Sequence, residues 1–428
     1  MMKHAAIVSV ALLPLIAACS AGSQNAALPG IHAPSPNPSP SGPGGLSQIQ
    51  HIVVIEMENR SFDNYFGTFP GANGIPANPS CNPDPKTGKC IFPYHDTALR
   101  NYGGPHSDWA YAVDLDAGKM DGFITAAESE PKYADPDPDE VMGYHTCAEI
   151  PTYCAYASEY TLADENFAAT TSWSTMAHLY LVSGWSAICS VPGDPTSCVS
   201  SNDVDFTKGN YAWTDITWLL HEHRVTWGYF VYPGGLLEPY VQDDSPGQNE
   251  FATTSWNPMP AFTDVQQDGE ESDVQSGSQF IADATGGLLP SVCWVTPPFA
   301  SSDHPAANID NGQSWVKQQV DAVMQGPDWP STIILLTWDE WGGMYDHVMP
   351  PVVDGLGYGF RTPLIVIGPM VKKGYIDHQM LSSDAYLKLI EDVFLGGERI
   401  DSRDRRPDSR PDVRENTPGL GDLANDLQ

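Results

Sequence analysis

Basic residues are scarce in this chain. Twenty lysines and arginines stand against 54 aspartates and glutamates, a formal charge of −34 over 428 residues. Phosphate backbones are bound through lysine and arginine, so nucleic acid is excluded as a partner. The same balance disfavours adsorption to an anionic membrane surface. Long apolar runs are missing as well: the stretch at residues 5–18 is too short to span a bilayer. No two cysteines have Cys-x-x-Cys spacing, which argues against a zinc ribbon or a dithiol redox motif. No internal repeat is found. What is present, 41% hydrophobic and 10% aromatic residues, suffices for a large core. Length alone leaves the number of domains open.

Lys3 and His4 precede the apolar stretch, and Ile16-Ala17-Ala18-Cys19 closes it. A positive start, a short apolar region and small residues before a cut read as an export signal over residues 1–18. The tetrapeptide resembles a bacterial lipoprotein box, which implies a lipid on the Cys19 sulfur. That anchor would hold the protein at a bacterial membrane or cell surface and be its only membrane contact. An ordinary secretory signal, giving a periplasmic or secreted protein, is the alternative. Residues 19–47 are rich in Pro, Ser and Gly and read as a disordered tether. Cysteine usage agrees with export: Cys81/Cys90, Cys147/Cys154 and Cys189/Cys198 form close pairs in polar loops and read as local disulfides. Cys293, in Ser-Val-Cys-Trp-Val, reads as a buried free thiol.

The rest of the chain is organised around residues 332–347. Ile333 to Leu336 are an unbroken apolar run, expected to be a strand buried on both faces. Asp339 and Glu340 follow, then Gly342-Gly343, Asp346 and His347. A second such strand begins at His51 and ends in Glu58-Asn59-Arg60. Further strands are expected within 226–232, 289–297 and 363–368. Helical patterns occupy 109–119, 174–185, 213–223, 313–324 and 384–395. This alternation predicts an α/β domain over residues 48–400, with a mostly parallel sheet covered on both faces. Residues 245–278 read as a surface excursion, and 401–428 as a charged tail, mobile or wrapping.

In such sheets the ligand crevice lies beyond the carboxyl ends of the strands. Two acids after a strand are often a solvated turn, but here two strands deliver them to one rim. Crowded carboxylates repel, and a hard cation relieves them. Oxygen donors favour calcium, magnesium or manganese, while nearby histidines would admit zinc or iron. Ser174 opens a predicted helix, where a serine is either an N-cap or a hydroxyl set in the field of free N–H groups. His178 reads as a packing or phosphate-side residue. His221 and His223 point apart on their helix, which argues against ligation. Arg60 is expected as a buried ion-pair partner. Some of Trp173, Trp185, Trp338 and Trp341 are expected to wall a pocket.

Five ordered motifs carry a resemblance: Glu58-Asn59-Arg60-Ser61-Phe62-Asp63-Asn64-Tyr65-Phe66-Gly67, Gly118-Lys119-Met120-Asp121-Gly122-Phe123, Ser302-Asp303-His304-Pro305, Thr337-Trp338-Asp339-Glu340-Trp341-Gly342-Gly343-Met344-Tyr345-Asp346-His347-Val348, and Gly357-Tyr358-Gly359-Phe360-Arg361-Thr362-Pro363. Over residues 48–401 the chain resembles the bacterial phosphoesterase family of phospholipases C and acid phosphatases, in the alkaline phosphatase superfamily. That implies a three-layer α/β/α sandwich with a mostly parallel central sheet and a metal-assisted hydroxyl nucleophile.

By the same resemblance Glu58, Asn59, Asp339 and Glu340 bind the divalent cation, with Ser174 as nucleophile and fifth ligand. The family's Ser/Thr-x-Pro-Asn-His/Arg-Leu pattern is matched from Ser174 to Leu179, with Met176-Ala177 in place of Pro-Asn. Ser172 and Thr175 are the weaker alternatives. His304 and His347 match family histidines, with Asp303 replacing a glutamate, and His106 fits a third. The implied activity is phospholipase C-like hydrolysis of an extracytoplasmic phosphodiester or phosphomonoester through a phosphoserine. An acid phosphatase on small phosphomonoesters is the alternative; a non-catalytic surface binding protein is favoured only by Met176-Ala177. No Cys-x-Pro-x-Arg motif is present, as a sulfatase would require.

Overall fold

A computed structural model describes residues 44–130, 137–232, 236–237, 241–242, 252–401 and 406–428. The expected signal, Cys19 and the tether up to residue 43 lie outside them. Gly44–Gln48 forms a short 3-10 turn whose Leu46 is already buried in the core.

Eight strands build the main sheet: β1 (His51–Met57), β2 (Thr161–Ala163), β3 (Trp227–Val231), β4 (Val274–Ser276), β5 (Val292–Val295), β6 (Thr332–Trp338), β7 (Leu364–Ile367) and β8 (Tyr375–Asp377). Their order is β4-β3-β5-β1-β6-β7-β2-β8. β7 runs antiparallel to both neighbours, and every other pairing is parallel.

The apolar runs of β1 and β6 are buried throughout because both faces of the sheet are covered. Ile52 and Val54, with Ile333 and Leu335, pack beneath the helices Ser174–Ser183, Ile216–His223 and Ser383–Phe394. Val53 and Ile55, with Ile334 and Leu336, face Pro151–Glu159, Gly277–Gly286 and Ile309–Gln325. Strand side chains alternate between faces, so one run of aliphatics serves two cores. This is the expected three-layer sandwich. A smaller apolar cluster, including Met120, Phe123, Val141, Trp341 and Phe360, sits apart from these two.

Local chemistry sets the helix starts. The side chains of Asn308 and Ser382 accept hydrogen bonds from Asp310 N and Asp384 N, capping the two long helices. The helix expected over 109–119 is Asp108–Leu115; it stops where Asp116 takes a left-handed conformation, φ 37°. The strands β2, β4 and β8 escaped prediction, since three residues give no periodicity to read.

One other expectation changes, and the wrapping alternative for the tail holds over its described part. The described part of the supposed surface excursion, residues 252–278, sends Met259, Phe262 and Val265 into the core and ends in strand β4. Of the tail, residues 406–428 wrap the body and bury Arg410, Arg414, Leu423 and Leu427. Disulfides join Cys81 to Cys90, Cys147 to Cys154 and Cys189 to Cys198, and Cys293 is free and buried. No described helix is long and apolar enough to cross a membrane.

Candidate active site

The register of two central strands creates the site. β1 and β6 pair in parallel with Met57 opposite Trp338, so Glu58 and Asp339 leave the sheet side by side. Glu58, Asn59 and Glu340 are fully buried and Asp339 nearly so. Asn59 holds a left-handed conformation, φ 59°, which asparagine tolerates better than most residues. In that turn its backbone N–H donates to Asp339 Oδ1 at 2.8 Å and its side-chain amide donates to Glu340 Oε1. The paired glycines have a steric purpose. A Cβ at Gly342 would lie 2.6 Å from Asn59 O, and one at Gly343 would lie 2.4 Å from Gly104 Cα. Only bare backbone lets the segment carrying His106 lie against the acids.

Ser174 is the first residue of its helix, and the capping position belongs to Trp173, which makes no side-chain cap. The serine hydroxyl instead donates to Glu58 Oε2 at 3.1 Å. The departures from the family pattern do not disturb this: Met176 is buried in the core and Ala177 is nearly so. The alternatives are engaged elsewhere. Ser172 Oγ donates to Asn202 O at 2.9 Å, and Thr175 Oγ1 lies 2.9 Å from Ser255 Oγ.

One turn beyond Ser174 comes a residue whose place the sequence reading did not foresee. His178, fully buried, sets Nε2 3.0 Å from Glu58 Oε1 and Nδ1 2.8 Å from Glu56 Oε2. The i, i+4 spacing from Ser174 was the available signal, because it puts both side chains on one helix face. Burial alone would keep His178 neutral; Glu56 and Glu58 overcome it and raise its pKa well above the ordinary value. Glu58, His178 and Asp339 offer ligand atoms within 4.8 Å of one another. Burial, then the neighbouring Asp339, raises the carboxyl pKa values of Glu58 and Glu340. The cluster remains short of positive charge, and Asn59 Oδ1 and Asp339 Oδ2 are buried with no hydrogen-bond partner.

The three candidate histidines occupy different environments. His106 Nδ1 donates to Gly104 O, 2.9 Å away, and its Nε2 lies 3.4 Å from Asn59 Nδ2. Its ring meets that of His304 edge to face, 6.4 Å between centroids. His304 points Nδ1 at Pro305 O, and burial, helped by the His106 charge, pulls its pKa down to about 3. His347 stands in a second cluster. Its Nδ1 is 2.7 Å from Asp63 Oδ2, and Arg361 bonds both Asp63 and Asp346. Burial opposes charge on His347, yet Asp63 prevails and raises its pKa.

Asp63 and Arg361 were absent from the predicted site because nothing but tertiary contact joins them to His347. Arg60 also differs from expectation. Its guanidinium donates to Asp303 O at 2.7 and 3.1 Å and to Asn101 Oδ1 at 2.9 Å, bracing the backbone before His304 instead of forming a carboxylate pair. Trp338 donates to Asp303 Oδ2, and Trp341 packs its ring edge-on to His106. Trp185 belongs to the core beside Trp213 and walls no site. His221 and His223 turn to Glu270 and Glu398, separate partners, as their spacing requires.

The Phosphoesterase family model matches residues 49–395, a span that contains every residue of this site. The chain belongs to the Phosphoesterase family. It is a hydrolase of phosphoric esters. Among curated relatives of this phosphoesterase, phospholipase C B of Mycobacterium tuberculosis is 25% identical over 418 residues, covering 82% of this chain and 74% of the relative. Hemolytic phospholipase C of Pseudomonas aeruginosa is 25% identical over 416 residues, 82% of this chain and 53% of its own length. Non-specific phospholipase C1 of Arabidopsis thaliana is 28% identical over 369 residues, 77% and 62%. Solved structures with a similar chain trace include an alkaline phosphatase superfamily protein from Vibrio parahaemolyticus, TM-score 0.32 at 17% identity over 56% of this chain and 60% of that one. The phosphonate monoester hydrolase of Silicibacter pomeroyi gives TM-score 0.34 at 13% identity over 63% and 72%.

Proposed function

We propose that this phosphoesterase is a metal-dependent, phospholipase C-like hydrolase that works through a phosphoserine on Ser174. The observation carrying the reading is the Ser174 hydroxyl, bonded to Glu58 at the edge of a buried acid cluster. A divalent cation suits the donors present. Glu58, Asn59, Asp339, Glu340 and Ser174 would hold it, with the partnerless Asn59 Oδ1 and Asp339 Oδ2 available to it. That oxygen set suits calcium, magnesium or manganese, while histidines near the same rim would admit zinc or iron. When bound, the cation supplies polarisation of the phosphoryl group and a lower pKa for the serine hydroxyl.

The chain's own groups do the rest. Ser174 Oγ gives its proton to Glu58 Oε2, to which it is hydrogen-bonded, and attacks phosphorus; the Oγ–P bond forms as the ester P–O bond breaks, and the departing alcohol takes a proton. His347 is the proton donor, because Asp63 favours its charged form. His304 is neutral, and with Nδ1 donating to Pro305 O its Nε2 is an acceptor. It orients the water that later cleaves the Oγ–P bond. Action outside the cytoplasm is supported by the three disulfides and the N-terminal export pattern. The Cys19 lipid serves as the anchor.

The direct test sets a phosphocholine ester beside a chromogenic phosphomonoester, with and without chelator. Turnover of the phosphocholine ester should vanish on chelation and return with a divalent cation, while far-ultraviolet circular dichroism stays unchanged. Hydrolysis of the monoester alone would make this an acid phosphatase, and turnover indifferent to chelator would remove the metal from the reaction. A second expectation concerns pH. A raised His347 pKa keeps the acid protonated until pH passes that value, so kcat/KM falls on the alkaline side. Asp63→Asn removes the charge that raises it, and the alkaline limb should move to lower pH. A limb that stays in place assigns the proton to another group.

A further inference from the structure

Apolar side chains stand bare on the segments that surround the site. Val352 is 86% exposed, Met349 60%, Tyr102 54% and Trp109 47%. Tyr102 and Trp109 flank His106 in the chain, and Met349 and Val352 follow His347. Hydrogen bonds join these segments to the loop that delivers Ser174. Thr171 Oγ1 donates to Asp108, the neighbour of Trp109, at 2.6 Å. Thr171 N donates at 3.3 Å to Leu356 O, in the loop that carries Met349 and Val352. Asn202 accepts from Thr170 Oγ1 at 2.8 Å and donates to Thr171 Oγ1 at 2.9 Å. It leads out of the hairpin closed by Cys189–Cys198, on which Ile188 and Val199 are exposed too. A groove of about 720 Å³ runs from Trp173, the residue before Ser174, along that hairpin past Ile188, Val204 and Phe206, with Asp205 and Lys208 also on its wall.

Single exposed apolar residues are ordinary on a protein surface. Several gathered on the segments around one site mark a contact surface. We propose that this rim seats the enzyme on a zwitterionic lipid surface, with the groove receiving the apolar chains of a lipid beside Ser174. The proposal rests on the phospholipase C-like reading above. Trp109 and Tyr102 suit such an interface, since each joins an apolar ring to a polar tip. The net charge of −34 decides the headgroup, because an anionic surface would repel the chain.

The test uses the full chain carrying Cys19→Ser, so that no lipid anchor contributes, with and without Trp109→Ser and Val352→Ser together. Two quantities are read: co-sedimentation with phosphatidylcholine vesicles, and kcat/KM on a soluble chromogenic phosphocholine ester. The parent should sediment with the vesicles, and the double variant's bound-to-free ratio should fall about tenfold. Its kcat/KM on the soluble ester should stay within about twofold, as surface substitutions away from the chemistry allow. A parent that ignores the vesicles yet hydrolyses the soluble ester overturns the docking surface and leaves the phospholipase C-like reading standing. A parent that binds vesicles but hydrolyses no ester does the reverse. Tighter binding to phosphatidylglycerol vesicles overturns the proposal. So does a parent dimer that the double variant converts to a monomer.

Discussion

Ser174→Ala protein should fold as the parent does and turn over its phosphate ester at least about 10⁴-fold more slowly, the scale seen when a covalent nucleophile is removed. The substitution deletes one hydroxyl at the first position of a helix whose cap is another residue, so the helix start does not depend on it. Glu58 loses a donor to Oε2 but keeps His178 at Oε1, and no buried charge is stranded. Thermal unfolding should therefore move little while kcat collapses. Trapping offers an independent readout: quenching the parent in acid during turnover of the phosphocholine ester should leave phosphocholine on Ser174, and quenching the variant should leave none. Near-normal activity in Ser174→Ala would return the role to Ser172 or Thr175, whose hydroxyls are bonded to Asn202 and Ser255.

The second large effect is expected at His178, and it should appear in stability as well as rate. The imidazole lies between Glu56 and Glu58, all three buried, and its charge is the nearest compensation for both carboxylates. Removing one partner of a buried ion pair strands the other, at a cost of roughly 3–5 kcal/mol. His178→Ala should thus lower the free energy of unfolding by that amount, read as a lower denaturant midpoint at unchanged slope. Glu56→Gln added to the same chain should restore part of the loss, because one of the two stranded charges is then gone. If the single variant is as stable as the parent, the histidine is not the counter-charge that its position suggests. Activity should fall too, since Glu58 is the shared neighbour of His178 and Ser174.

Much of the fold could be read directly. The aliphatic runs from His51 and Thr332 announced buried parallel strands, because only a sheet covered on both faces can hide every residue of such a run. Helices of eight residues or more with an amphipathic stripe were legible at 313–324 and 384–395 for the same reason, and their ends shifted by a few residues with the caps. Strands of three residues were not legible, since β2, β4 and β8 take their pairing from neighbours rather than from pattern. The described part of residues 245–278 was misjudged because its polar composition concealed Met259, Phe262 and Val265, spaced to reach one core.

Identity of chemistry and arrangement of chemistry have different sources here. Which side chains can act was already determined by residue type: oxygen donors after two strands, a hydroxyl at a helix start, histidines in recurrent motifs. Family membership over residues 49–395 attaches to those same motifs. Only the tertiary structure decided their company, because contacts across some 280 positions depend on strand register and helix packing. One residue of slip between β1 and β6 would take Glu58 away from Asp339. Packing likewise placed His178 between two glutamates, gave His347 the Asp63 carboxylate that favours its proton, and held His304 neutral. A side chain's charge state follows from its burial and its neighbours, and those exist only once the chain has folded.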